Sequence, residues 1–260
     1  MQDPGKRLGK DWKSSADRAV TTATDAGGLK ILVADSKDAY QWRTVATLAE
    51  PGMPADTWIG NACAMDRDHV AAVYAPRTFT NKPDLMQGGA FTAIVDVKTG
   101  TVTKLPFTAS LAYFDPTCNP ETGTAVFTAF RDHKTRLLTV TTSGKTTADA
   151  SVNGQVTSAV PVDDGLVAAR GHNLVHVSPA GKSRTLTGAD SVPFQIRPTR
   201  DGVAFLDRSG RPPGHGCGPG AASRRRWRPA SWATSLSNRA RADGCSSPGR
   251  PRRNPRPAAA

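Results

Sequence analysis

The sequence predicts an all-β protein built from one repeated unit of short strands, and three observations carry that expectation. The body of the chain consists of short runs of Val, Thr, Ala and Leu parted by turn residues, with no sustained 3.6-residue apolar period. Three segments close alike on a glycine: FTAIVDVKTG at Gly100, RLLTVTTSG at Gly144 and NLVHVSPAG at Gly181. A proline recurs in YFDPTC, SAVPVD and QIRPTR, at Pro116, Pro161 and Pro198. The glycines lie 44 and 37 residues apart and the prolines 45 and 37, so two independent landmarks share one period. Four short strands repeating about every 40 residues are the signature of a β-propeller blade. A β-sandwich with hairpins that happen to look alike is the competing reading.

Taking the strands of a blade as A to D from the centre outward, the elements follow in order. Residues 1–28 are polar and small, and read as a linker or disordered lead without the apolar core of a secretory signal. Residues 29–207 form the repeat domain. Within it, residues 30–34 and 40–48 read as strands C and D of a first blade. Three full blades follow at about 57–107, 110–152 and 155–188, and residues 193–207 supply A and B of another. The expectation is therefore an array of about four blades, complete or incomplete, with a truncated larger ring as an equal alternative. The two outer strands at one end and the two inner ones at the other are candidates to join into the fourth blade.

The charge is concentrated outside this body. The chain has 34 Lys+Arg against 22 Asp+Glu, a net charge of +12, yet residues 208–260 alone hold 12 Arg, no Lys, one Asp and no Glu. The body is close to neutral, so its composition does not mark it as a nucleic-acid binder. The tail is rich in Arg, Pro, Gly and Ala and reads as disordered. It breaks off the strand pattern of VAFLD abruptly, as an out-of-frame product of a GC-rich gene would. A native disordered tail and a basic nucleic-acid arm are the alternatives. No stretch approaches the roughly 20 apolar residues of a membrane helix.

The repeat places Cys63 of WIGNAC and Cys118 of YFDPTC at the same point on strand A of consecutive blades. Neighbouring central strands bring such Cα atoms within the ~4.4–6.8 Å a disulfide needs. Pairing would imply an oxidising compartment; two buried free thiols are the alternative.

No nucleophile elbow, zinc motif, phosphate loop or dinucleotide fingerprint occurs, and no catalytic residue, metal ligand or cofactor is nominated. Asp66, Asp68, Asp163, Asp164 and Asp201 sit at turns, where Asp most often caps its own backbone. The main irregularity is an insertion, PRTFTNKPDLMQGG, between strands B and C of the first full blade. B–C and D–A loops share one face of such an array, and a long loop on a rigid scaffold is where binding residues concentrate. The candidates for a ligand face are Arg77, Asn81, Lys82 and Asp84 on the insertion, with Arg131, His133 and His172 on sister loops.

The segments LAEPGMPADTWIGNACAMD, VAAVYAPRTFTNKPDL and SLAYFDPTC resemble the propeller-like region of large extracytoplasmic multidomain proteins of actinomycetes. The resemblance covers about residues 25–207. It implies an extracellular site, favours the disulfide, and implies that this chain is a fragment; it supplies no catalytic residue. The leading function is a non-enzymatic binding or scaffolding domain whose partner is a protein or carbohydrate on the B–C loop face. An enzyme acting on extracellular glycan through paired carboxylates comes second; Asp115 is the clearest acid near strand A. Nucleic-acid binding through the tail comes third.

Overall fold

Residues 3–9, 11–199, 202–208 and 225–231 are described in the computed structural model. They form five antiparallel sheets, each a simple up-and-down meander. The first contains β1 (Arg18–Asp25), β2 (Gly28–Asp35) and β3 (Arg43–Leu48), and the second β4 (Trp58–Ala64), β5 (His69–Pro76), β6 (Phe91–Asp96) and β7 (Val102–Lys104). The third contains β8 (Thr117–Asn119), β9 (Thr124–Arg131), β10 (Lys134–Thr141) and β11 (Thr146–Asn153). The fourth contains β12 (Thr157–Val162), β13 (Gly165–Arg170), β14 (Asn173–Val177) and β15 (Ser183–Gly188). The fifth contains β16 (Phe194–Thr199), β17 (Gly202–Arg208) and β18 (Arg225–Ser231). The innermost strands β4, β8, β12 and β16 lie side by side in succession, with β1 against β4. This is the blade-by-blade order of a β-propeller.

The core lies between the sheets. Alternation along the second strand of each blade sends successive side chains to opposite faces. Val70, Ala72 and Tyr74 of β5 pack with Leu29, Ile31 and Val33 of the first sheet, while Ala71, Val73 and Ala75 pack with Ala125 and Phe127 of the third. Val126 turns the other way, toward Leu166 and Ala168. Val167 and Ala169 meet Ile196, Val203 and Phe205. A strand buried on both faces needs apolar residues at every position, which explains continuous runs such as VAAVYA.

The period read from the sequence corresponds to a conformation. Gly100, Gly144 and Gly181 have φ of 75°, 79° and 77°. Each also presses its α-carbon against the preceding sheet: an added Cβ would lie 2.7 Å from the Val45 carbonyl, 3.1 Å from Leu105 and 2.8 Å from the Ser151 carbonyl, respectively. Left-handed backbone and lack of room together demand glycine. The inner strands β12 and β16 carry a second repeated mark, a register shift with Ser158 at φ 54° and Gln195 at φ 50°.

The structure revises three boundaries. The first sheet begins at Arg18, inside the stretch read as a lead. RAVTTATD pairs residue for residue with β2, from Arg18 opposite Asp35 to Asp25 opposite Gly28. Its Arg18 guanidinium, 10% exposed, reaches Asp35 at 2.6 Å and the Arg67 carbonyl at 2.6 Å, tying the first sheet to the second. Burial works to raise the Asp35 carboxyl, but Arg18 outweighs it and holds it below the usual range. A second difference is that the outer strands of the first sheet and the inner strands of the last do not merge. They form separate sheets, so the described residues hold five sheets, which goes with the larger-ring alternative and not with a joined fourth blade. Finally, Arg225–Ser231 pairs with β17 over its whole length, within the tail read as disordered. The readings of residues 209–224 and 232–260 lie outside the described residues.

Candidate binding face

In the four-stranded sheets a meander puts the second-to-third and fourth-to-first connections on one face; in the first sheet the β1–β2 turn and the connection after β3 lie on that face, and the β2–β3 connection lies on the other. Three connections of the shared face lock together where the first three sheets meet. The insertion after β5 is a 3₁₀ turn, Arg77–Asn81, followed by a short helix, Pro83–Gly88. Pro83 starts the helix, where a missing N–H costs nothing. The loop of residues 105–116 is pinned to this insertion: Ala90 and Ala109 exchange backbone hydrogen bonds at 2.9 Å, Leu111 N donates to Met86 O at 2.8 Å, and Thr108 Oγ1 donates to Gly88 O at 2.6 Å. Its other side is held by Ser110 N donating to Thr128 O at 2.7 Å and Asn61 Nδ2 donating to Ala112 O at 3.0 Å. The loop of residues 49–57 joins through Asp56, whose carboxylate accepts from Thr57 N and Thr78 N, both at 2.7 Å. The Thr78 amide is the main reason that the Asp56 carboxyl sits below its ordinary range.

Beneath these loops the disulfide Cys63–Cys118 joins β4 to β8, with Cα atoms 5.7 Å apart. The distance falls in the expected range, so the free-thiol alternative is set aside. Asn119 Nδ2 donates to Pro161 O at 3.2 Å, and Thr117 Oγ1 bonds the Ala159 carbonyl, linking β8 onward to β12. The face therefore stands on inner strands that are cross-linked from the second sheet to the fourth.

The face carries a cavity of about 250 Å³ whose walls include Glu50, Tyr74, Phe91, Lys104, Leu105 and Phe107. Glu50 accepts from the Tyr74 hydroxyl at 2.5 Å and from Lys104 Nζ at 2.8 Å. Burial works to raise the Glu50 carboxyl, but these two donors outweigh it and keep it low and ionised. Burial, and then the Glu50 charge, push the Tyr74 hydroxyl far up, so it remains a donor.

The sequence candidates divide. Arg77, Asn81, Lys82 and Asp84 all stand exposed on the insertion. Arg131 is brought to it, its guanidinium 3.5 Å from the Gly88 carbonyl. His133 and His172 are exposed on the same face but on the turns of the third and fourth sheets, and no hydrogen bond or ion pair joins their side chains to the insertion among the described residues. The loop of residues 105–116 is not among the sequence candidates, although the long link LPFTASLAYFDP with three aromatics is a signal. It bears Tyr113, 76% exposed, whose ring stands edge-on to Phe114 at 5.4 Å.

Asp115 does not face solvent. It is 1% exposed, its Oδ2 is bonded to Thr128 Oγ1, and its Oδ1 is buried without a partner. Burial pushes its carboxyl well above the ordinary range despite the Thr128 bond. A carboxyl raised in the fold contributes most below its unfolded pKa, and that contribution is lost as pH rises toward the folded value. Asp115→Asn removes the titration. The variant is expected to melt higher than the parent at pH 7, with the gap closing toward pH 4, in thermal melts across that range.

Of the turn aspartates, Asp66 caps backbone as expected, its Oδ1 accepting from Asp68 N and His69 N, both at 2.7 Å; Asp68 instead pairs with Lys98 and Arg18, Asp164 Oδ1 lies 2.9 Å from His176 Nε2, and Asp201 lies outside the described residues. Among the described residues, no group of three or more His, Cys, Asp or Glu is placed to hold a metal, and no helix is long and apolar enough to cross a membrane.

No protein family and no curated protein matches the chain in sequence. Among solved structures, it is similar to TolB from Acinetobacter baumannii, with 16% identity over 74% of this chain and 50% of that one, at a TM-score of 0.46. It is also similar to the β-propeller domain of the trilobed protease from Pyrococcus furiosus, with 11% identity over 75% and 60% and a TM-score of 0.47. A third similar structure is a chain of a nidogen/laminin complex, with 13% identity over 72% and 67% and a TM-score of 0.41. The chain thus spans half of the TolB chain. The blade assignment rests on the strand order and the packing of the sheets described above.

Proposed function

We propose that this is a non-enzymatic binding or scaffolding domain of an extracellular protein, and that it engages a protein partner through the face formed by the insertion and its neighbouring loops. One observation carries the reading. Among the described residues, five large apolar side chains are exposed, and four of them, Met53, Met86, Tyr113 and Val192, are on connections of this one face. Only Trp42 is on the other. Exposed apolar groups gathered on one side of a rigid scaffold are the usual ground plan of a protein interface, in which aromatic residues and Met are enriched. The locked loops supply preorganisation, which cuts the entropy lost on association. The Cys63–Cys118 bond supports an oxidising, extracellular setting. The buried state of Asp115 offers nothing to the alternative of a glycan-acting enzyme, which needs solvent-facing carboxylates.

A photo-crosslinking amino acid at position 86 or 113 is expected to trap a discrete partner in the extracellular fraction of the native cells. The same group at Thr142 or Lys182, on the opposite face, is expected to trap none. Equal trapping from both faces, or none from positions 86 and 113 in a folded chain, would overturn the proposal.

A further inference from the structure

The charges on the proposed binding face are unevenly matched. Asp25 is paired with Lys30, Glu50 with Lys104, and Asp56 is spent on backbone amides, while Asp115 is buried. Lys82, Arg131, Lys134 and Arg170 are exposed there, and no ion pair links any of them to a carboxylate among the described residues. His133 and His172 stand beside them. Against these cations the exposed acids are Asp84, Asp132 and Asp190. On the opposite face the charges balance. Arg18, Arg43 and Lys98 are held by Asp35 and Asp68, and the exposed cations Lys37, Arg67, Lys145 and Lys182 stand among the exposed acids Asp38, Glu121, Asp163 and Asp164.

We infer that the partner presents an acidic segment with apolar side chains, which docks along the exposed cations with its apolar groups on Tyr113, Met86 and Met53. The inference rests on the proposed binding role of this face and adds the chemistry of the partner. Unmatched cations beside apolar groups fit a surface of opposite charge that also buries carbon. A nucleic acid fits less well. It has phosphates but no aliphatic side chains for Met53 and Met86, and the body of the chain has almost no net charge to hold a polyanion. The four cations come from three different sheets held rigid by the core, so an extended segment can meet them without reordering the scaffold.

The test is selection of random peptides by display on the full chain, followed by fluorescence titration of the selected peptides. The expected pool is enriched in Asp and Glu together with Leu, Phe or Trp. Binding is expected to weaken about tenfold or more on the triple change Lys82→Glu, Lys134→Glu and Arg170→Glu, and to weaken with added salt. The control Lys145→Glu with Lys182→Glu, on the opposite face, is expected to leave it unchanged. Selection of neutral apolar peptides, lost with Tyr113→Ser but indifferent to the triple change, would overturn the acidic partner while keeping the binding face. Peptides indifferent to both sets of changes would overturn both. Tighter binding to a single-stranded oligonucleotide than to any selected peptide, sensitive to the same triple change, would also overturn the inference.

Discussion

Replacing Cys63 and Cys118 together by serine is expected to lower stability by about 4 kcal/mol and the melting temperature by roughly 10 °C. The bond closes a loop across a sequence separation of 55 residues. Loop-closure entropy for a ring of that size accounts for the magnitude. The location makes the effect more than entropic. Cys63 lies on β4 and Cys118 on β8, and both side chains pack against the apolar cluster between the second and third sheets. That cluster supports the loop of residues 105–116, so the double variant is also expected to exchange amide hydrogens faster at Ser110 and Leu111. Non-reducing peptide mapping of the parent, with calorimetry of both proteins, checks the prediction. Equal melting temperatures would show that the inner strands hold each other without the bond.

Phe127→Ala is expected to cost about 3–5 kcal/mol, the range for truncating a fully buried aromatic residue. Phe127 is 0% exposed on β9, between Ala71, Val73 and Ile94 of the second sheet and Leu138 and Val140 of its own. Its ring meets Phe107 edge-on at 5.5 Å. Neighbouring strands are tied by backbone ladders and cannot collapse into the space, so a cavity would remain. Phe127→Leu refills most of the volume and is expected to cost about 1.5 kcal/mol or less. Chemical denaturation of the three proteins distinguishes the two outcomes. The alanine variant should also loosen the binding face, because Phe107 opens the loop that carries Tyr113. Weakened crosslinking from position 113 alongside the stability loss would report that coupling.

Much of the architecture was legible because it is periodic and local. A turn that must adopt a left-handed conformation selects glycine wherever it recurs, and Gly100, Gly144 and Gly181 announced three blades in that way. Strands buried on both faces must be apolar throughout, which made β5, β9 and β13 readable. The disulfide followed from the same repeat, since equivalent positions on adjacent blades are neighbours in space. β1 was not legible. RAVTTATD is partly exposed and mostly small and polar, and its place is set by pairing with β2 and packing against β4, with Arg18 tied to Asp35 at the end of the pair. The strand Arg225–Ser231 is set by pairing with β17, and its Arg- and Pro-containing sequence carries no strand alternation of its own.

By itself the sequence determined the fold class, the three complete blades, the cysteine pair and the place of the long insertion, because each depends on spacing along the chain. Only the tertiary structure decided that residues 105–116 lock onto the insertion, that Arg131 reaches the insertion while His133 and His172 stand apart, and that Asp115 is buried rather than presented to solvent. It also decided which cations are left unmatched. These depend on which residues from different sheets meet, and burial and charge pairing are properties of that meeting rather than of any single segment.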